Sequence, residues 1–188
     1  MDNGASSYRR FLDGDDSGLV EIIRDYKDGL ILYLNSIIPS GTTAEELCED
    51  TFVRLAVKKP RFGGRSTFKT FLYAIGRRVA LDYLRKRRGK ETVSLEALSE
   101  EGIDLPAEED VASAYLRDET RRAVHRALGR LKDSHREVLW LVYFEELSVK
   151  EAAGVLGKSP HAAESLIHRA RLSMKAELEK EGITHENI

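Results

Sequence analysis

The chain has a single cysteine, four prolines, two methionines and one tryptophan among its 188 residues. One cysteine, Cys48, excludes an internal disulfide and any cysteine-cluster metal site, and reads as a small buried hydrophobe. Long apolar runs are also missing. The longest, GLILYLNSII from Gly29 to Ile38, is interrupted by Asn35 and Ser36 and is too short to span a bilayer, so no membrane insertion is expected. The N-terminal stretch MDNGASSYRRFLDGDD lacks the apolar centre of an export signal, which makes the cytoplasm the expected location. Alternating β-branched runs are absent, and with them any signal for a sheet. The five histidines, His125, His135, His161, His168 and His185, form no H-E-x-x-H or comparable ligand spacing. His161 and His168 stand seven apart and read as surface residues. FGGRST, from Phe62 to Thr67, lacks the spacing of a phosphate-binding loop. No metal and no cofactor are expected. No clustered acids or activated nucleophile mark an enzyme.

What is present is charge in blocks. The net charge of −2 hides them. Residues 1–57 carry 5 basic and 11 acidic side chains, residues 58–90 carry 12 basic and one acidic, residues 91–120 carry one basic and 10 acidic, and residues 121–188 carry 12 basic and 10 acidic. Salt screens charges beyond about 8–10 Å, so the block ending in RKRRGK (Arg85 to Lys90) acts as a positive surface whatever the total. Lys and Arg at such density suit a polyanion, because neutralising phosphates releases counterions.

Helical periodicity is the other strong feature. In TTAEELCEDTFVRLAV, positions Ala44, Leu47, Cys48, Thr51, Phe52, Leu55 and Ala56 fall on one helical face, with Glu45, Glu46, Glu49 and Asp50 opposite. Thr43 and Glu46 have the spacing of a capping box. SGLVEIIRDYKDGLILYLNSII upstream reads as one or two helices stopped at Pro39. After the glycine loop, Ser66 is the expected cap of a long helix whose apolar stripe includes Phe68, Phe71, Leu72, Ile75 and Val79. Gly76, within it, costs about 1 kcal/mol relative to Ala and points to close helix packing. Basic residues interleaved with Phe68, Phe71, Tyr73 and Tyr83 suit a nucleic-acid surface on which unpaired bases stack, although the stripe claims Phe68 and Phe71 for the core.

Residues 91–115 are acidic, contain Gly102 and Pro106, and have too few large apolar side chains to fold alone. The expected fold is therefore all-α: two small helical domains, 1–90 and 116–188, joined by an acidic linker at 91–115. In the second domain Ser134 with Glu137, and Ser148 with Glu151, have capping-box spacing. Gly157 suits a left-handed helix end. Ser159 followed by Pro160 suits a helix start. Helix, short turn, helix is the spacing of a helix-turn-helix.

The order of these parts resembles a bacterial sigma factor of the extracytoplasmic-function group of the sigma-70 family. AEELCEDTFVRLAV resembles the part of region two that docks on the clamp helices of core RNA polymerase. FGGRSTFKTFLYAIGRRVALDYLRKRRGK resembles the part that melts and reads the minus-ten promoter element. ALGRLKDSHREVLWLVYFEELSVKEAAGVLGKSPHAAESLIHRAR resembles region four, which reads the minus-thirty-five element and contacts the polymerase flap. The resemblance implies polymerase contact by Glu46, Glu49, Asp50 and Arg54. It implies minus-ten DNA contact by Arg65, Ser66, Lys69, Arg77, Arg78, Arg85, Arg87 and Arg88. Upstream-element contact falls to Lys158, Ser159, His161, Ala162, Glu164, Ser165, His168, Arg169 and Arg171. An anti-sigma factor is a further partner of this kind of protein.

The chain departs from the family pattern in places. Many members have Trp where Phe71 stands and Asn where Arg78 stands. In the second helix of the helix-turn-helix, Glu164 and Leu166 stand where Lys and Arg are common, as if the DNA-facing side had lost charge. A second reading follows from them: a sigma-like interaction module or regulator that does not melt promoters.

Overall fold

Pro39, the capping serines and the glycine loop divide the chain into helices, and those divisions set the fold. The computed structural model describes residues 3–91 and 113–183, with side chains at 3–88 and 121–183. Among these residues every regular element is helical: α1 (Asn3–Leu12), α2 (Ser17–Ile37), α3 (Gly41–Lys58), α4 (Phe68–Glu91), α5 (Ser113–Arg130), α6 (Asp133–Leu139), a π-helical turn (Trp140–Phe144), α7 (Val149–Leu156) and α8 (Pro160–Lys180). The expected acidic linker lies almost wholly outside the described residues.

Helix α1 has no counterpart in the periodicity reading. It is held by Tyr8 and Phe11, both buried, and by the Tyr8 hydroxyl donating to the Pro60 carbonyl at 2.8 Å. Helix α2 is one continuous helix that ends where Pro39 forces Ile38 into an extended conformation (φ −124°, ψ 100°). In α3 the expected apolar face is the buried one, with Ala44, Leu47, Cys48, Thr51, Phe52 and Leu55 inside. Burial pushes the Cys48 thiol up to about 12. The cap lies three residues before the expected Thr43. Ser40 caps it instead, its side chain accepting from the Thr43 backbone N–H at 3.4 Å. In α4 the capping hydroxyl is Thr67, which accepts from the Thr70 N–H at 3.3 Å, rather than Ser66. Gly76 does mark a close approach: a methyl there would sit 2.9 Å from Leu30 Cδ1.

In the second half, α7 has the full capping box between Ser148 and Glu151, and Gly157 closes it with φ +64°. Ser159 caps α8 with Pro160 in the first turn. The other expected box does not form. Helix α6 starts at Asp133 with Lys132 at the cap position and no side-chain cap, so Ser134 lies inside the helix, and the Glu137 carboxylate is engaged elsewhere. The π turn continues α6 by one wide turn, with the Glu145 N–H donating to the Trp140 carbonyl at 3.1 Å. Such turns are rare and often mark functional sites. Trp140 stacks on Phe144 within it, ring centroids 4.3 Å apart. Glu146 then takes a left-handed conformation (φ 54°) and the chain reverses into α7.

The two halves touch. Helix α7 packs on α4, and α6 with the π turn packs on α2. The buried apolar side chains of both halves form one continuous cluster.

Candidate nucleic-acid interface

Helix α8 follows α7 across the turn at Gly157 and is the second helix of the helix-turn-helix. Its inward positions are Ala163, Leu166, Ile167 and Ala170, all buried. The remaining residues of its first three turns face solvent. Lys158, Ser159, His161, Ala162, Glu164, Ser165, His168, Arg169 and Arg171 are all exposed, so every residue expected to touch DNA here is available. They form two stripes at helical spacing. Ala162, Ser165 and Arg169 make one, with the Arg169 guanidinium donating to the Ser165 carbonyl at 3.2 Å. Glu164, His168 and Arg171 make the other. His161 lies at the head of both, its ring Nδ1 3.9 Å from the Glu164 carboxylate. The Ser159 hydroxyl takes the Ala162 N–H at 3.2 Å. The start of α8 offers the positive end of a 21-residue helix, a ready anion site.

Leu166 corrects a sequence expectation. It is not a DNA-facing position that lost a charge. It is 6% exposed and belongs to the core, so only Glu164 alters the charge of the exposed face.

Below the second stripe lies an apolar groove of about 660 Å³ between α5, the π turn and α8. Leu128, Leu139, Phe144 and Leu172 line it, and His168, Arg171 and Lys175 edge it. Arg171 stacks over the Tyr143 ring, 5.6 Å from its centroid. His168 and Arg171 therefore border this groove as well as the helix surface.

In the first half, the outward face of α3 carries Glu46, Glu49 and Asp50 exposed. Arg54 differs. It is half-buried and reaches Asp82 of α4 at 3.3 Å, an acid that also takes Arg85 at 3.2 Å. Arg54 thus ties α3 to α4. Periodicity did not single out Val53 and Val57, which are 57% and 75% exposed. They continue the stripe through Glu46, Glu49 and Asp50, and their place off the apolar face was the only signal available.

Helix α4 divides the residues expected at the minus-ten element. Arg65 and Ser66 are exposed in the loop, and Arg78, Arg85 and Arg88 are exposed along the helix, with Arg87 half-buried. Lys69 and Arg77 turn toward the second half. The Arg77 guanidinium donates to Glu137 Oε1 at 2.7 Å and to Oε2 at 3.4 Å, and the Tyr33 hydroxyl donates to Glu137 Oε1 at 2.9 Å. Lys69 Nζ lies 2.9 Å from Glu145 Oε2 and donates to its backbone carbonyl at 2.8 Å. The Tyr73 hydroxyl donates to Glu145 Oε2 at 2.6 Å. Tyr73 is buried and bonded, not a free stacking platform. Burial and the neighbouring carboxylates push the Tyr33 and Tyr73 phenols well above the ordinary tyrosine range. Burial alone would lower the Arg77 value, but the Glu137 carboxylate outweighs it and raises it.

Residues 22–90 match the model for sigma-70 region 2, and residues 121–174 match that for sigma-70 region 4. RNA polymerase sigma factor YlaC of Bacillus subtilis is 33% identical over 163 residues, which cover 85% of this chain and 91% of YlaC. The chain belongs to the sigma-70 family. Within it, the chain falls in the extracytoplasmic-function group, where SigM of Bacillus subtilis is 28% identical over 169 residues, 88% of this chain and 98% of SigM. The fold is also that of two solved structures. CnrH in complex with the cytosolic domain of CnrY has a TM-score of 0.64 at 24% identity, covering 95% of this chain and 96% of that one. The sigma factor RpoE of Bartonella quintana, in complex with the anti-sigma factor NepR, has a TM-score of 0.64 at 21% identity, covering 85% and 95%. No helix among the described residues of this sigma factor is long and apolar enough to cross a membrane.

Proposed function

We propose a division of labour for this sigma factor among three exposed surfaces. The chain is a transcription initiation factor that binds core RNA polymerase and directs it to promoters. It acts by binding rather than by catalysis, and it works in the cytoplasm where polymerase and DNA are.

The outward face of α3 is the proposed clamp-docking surface. Glu46, Glu49 and Asp50 steer a basic partner, which raises the association rate more than the affinity. Val53 and Val57 supply apolar area, worth about 25 cal/mol per Å² removed from water. Arg54 holds α3 at its angle to α4. The loop at Arg65 and Ser66, with Arg78, Arg85, Arg87 and Arg88, is the proposed minus-ten surface. It binds phosphates and stabilises unstacked bases, whose extrusion costs a few kcal/mol.

Helix α8 is the proposed reader of the upstream element, and its exposed face carries the whole reading. Lys158, Arg169 and Arg171 serve as phosphate anchors, with the N–H groups at the start of α8. His161, Ala162, Glu164 and Ser165 are placed for base edges. A glutamate accepts from cytosine N4 in the major groove, so Glu164 is compatible with specific reading. The groove beside α8, edged by His168 and Arg171, is the proposed flap contact. An anti-sigma factor is a further proposed partner.

In vitro transcription tests the proposal. The purified chain with cognate core enzyme should initiate from a defined subset of a genomic promoter library. Initiation no different from that of core enzyme alone would sink it and leave the interaction-module reading.

A further inference from the structure

The loop from Pro60 to Ser66 joins α3 to α4 and belongs to neither helix. Space is open around Gly63 and Gly64. Among the described residues, one hydrogen bond joins this loop to a distant element: the Tyr8 hydroxyl of α1 donates to the Pro60 carbonyl at 2.8 Å. A second tie lies one residue earlier. Lys59 takes a left-handed conformation (φ 39°), which side chains with a β-carbon rarely adopt and which persists where the surroundings fix it. Its Nζ lies 4.8 Å from the centroid of the Phe11 ring, also on α1.

Helix α1 grips the far end of the loop as well. The Tyr8 ring packs on Phe68 and Phe71, in the first turn of α4, with centroids 5.3 and 6.0 Å away. Phe62, from within the loop, packs on the same two rings at 5.7 and 5.2 Å. A methyl at Gly4 would stand 2.6 Å from Phe68 Cδ1, so α1 lies close against α4. Helix α1 is in turn fixed to α2: the Ser7 hydroxyl donates to the Glu21 carboxylate at 2.7 Å, and Arg10 pairs with the same group. This helix precedes residues 22–90, which match region 2.

A loop ordered before binding has less freedom to lose when it meets its partner. Tyr8 and Phe11 are 1% and 5% exposed, so neither can touch DNA. Any effect of theirs on promoter choice must pass through the loop, where Arg65 and Ser66 are exposed. Burial pushes the Tyr8 phenol up to about 12, so the hydroxyl keeps its proton and stays a donor.

We propose that α1 is the strut of the minus-ten loop and that Tyr8 is its positioning residue. Through the Pro60 carbonyl, Tyr8 sets where Arg65 and Ser66 meet the DNA, while Phe11 holds Lys59 in the turn that starts the loop. The inference rests on the reading of this loop as part of the minus-ten surface.

The test uses the full chain. Tyr8→Phe removes the hydroxyl and keeps the ring. Circular dichroism reads helicity, and trypsin cleavage after Arg61 and Arg65 reads loop order in the free protein. Run-off transcription with cognate core enzyme reads promoter choice, on one promoter that the chain uses and on single-base substitutions across its minus-ten and minus-thirty-five elements. Cleavage should rise several-fold with helicity kept. Preference for the parent minus-ten sequence over its substitutions should fall several-fold, while preference at the minus-thirty-five element stays. A variant that is merely less stable lowers all templates by one factor and leaves both preferences unchanged, and that outcome overturns the proposal. Should Tyr8→Phe lose helicity, Phe11→Leu loosens Lys59 instead and carries the same measurements. Unchanged cleavage in a folded variant overturns the strut. A looser loop with an unchanged minus-ten preference overturns the positioning role, and Arg65→Ala with Ser66→Ala then separates the causes. If that double variant shifts the minus-ten preference, the Tyr8 idea has failed. If it does not, the minus-ten reading of the loop has failed.

Discussion

Arg77 and Glu137, on helices from opposite halves of the chain, meet in a forked ion pair with the Tyr33 hydroxyl on the same carboxylate. Removing one partner leaves the other's charge largely without water, which costs about 3–5 kcal/mol for a fully buried pair. Arg77 retains 21% side-chain exposure, so the lower end applies, about 3 kcal/mol. Arg77→Ala and Glu137→Ala should each lower the urea unfolding free energy by about that much, and the double variant should cost clearly less than the sum. Simple additivity in urea melts would show that the pair is not coupled.

Glu164 and Leu166 should respond in opposite ways to the same kind of change. Glu164 is exposed, so Glu164→Lys leaves stability within about 0.5 kcal/mol. It should strengthen nonspecific DNA binding and relax or redirect the upstream-element preference. Leu166 is in the core, so Leu166→Arg, although it restores a common family residue type, should unfold the second half. Leu166→Ala should cost about 2–5 kcal/mol. Thermal melts separate the two positions. A promoter profile unchanged by Glu164→Lys would remove α8 as the reader.

These residues also show what the sequence makes legible. The caps at Ser148, Gly157 and Ser159 act within one turn of chain, so spacing alone reveals them. Buried stripes such as that of α3 are likewise local. Glu137 had the spacing of a cap and became an interhelical acid, because its partner Tyr33 lies 104 residues away. No periodicity carries that information. Leu166 was misplaced for a related reason: a family pattern assigns residue types to positions, while the core of this chain decides which side of α8 turns inward. Helix α1 has no counterpart in the periodicity reading because it is short and its place is set by packing on α2, with one hydrogen bond to distant Pro60.

Two glycines make opposite predictions for the same substitution. A methyl at Gly18 would lie 2.2 Å from the Ser7 carbonyl oxygen and 2.9 Å from the Phe11 backbone nitrogen. Backbone cannot rotate away as a side chain does, so α1 and α2 must separate. Gly18→Ala should therefore destabilise by about 1–3 kcal/mol, even though alanine is the better helix former. Gly129, near the end of α5, has open space around the same position. There Gly129→Ala should stabilise by up to about 1 kcal/mol. Paired thermal melts with the same sign for both would contradict the close α1–α2 contact.

Stability should also fall on mild acidification, through His125. Its ring lies 6.3 Å from that of Phe144, and its Nδ1 is buried without a hydrogen-bond partner. Burial first, and then Arg121, lower its value below the ordinary histidine value of 6.5. The folded protein therefore disfavours the imidazolium more than the unfolded chain does. The unfolded chain binds the proton first, so stability is intact above about pH 6.5 and falls as pH drops through the lower folded value. His135 is lowered as well, by burial and by Lys132 and Arg169, and contributes in the same direction. His125→Phe keeps an aromatic ring beside Phe144 and should reduce the slope of unfolding free energy between about pH 7 and pH 5, leaving the His135 part. An undiminished slope in that variant would assign the acid sensitivity to other groups.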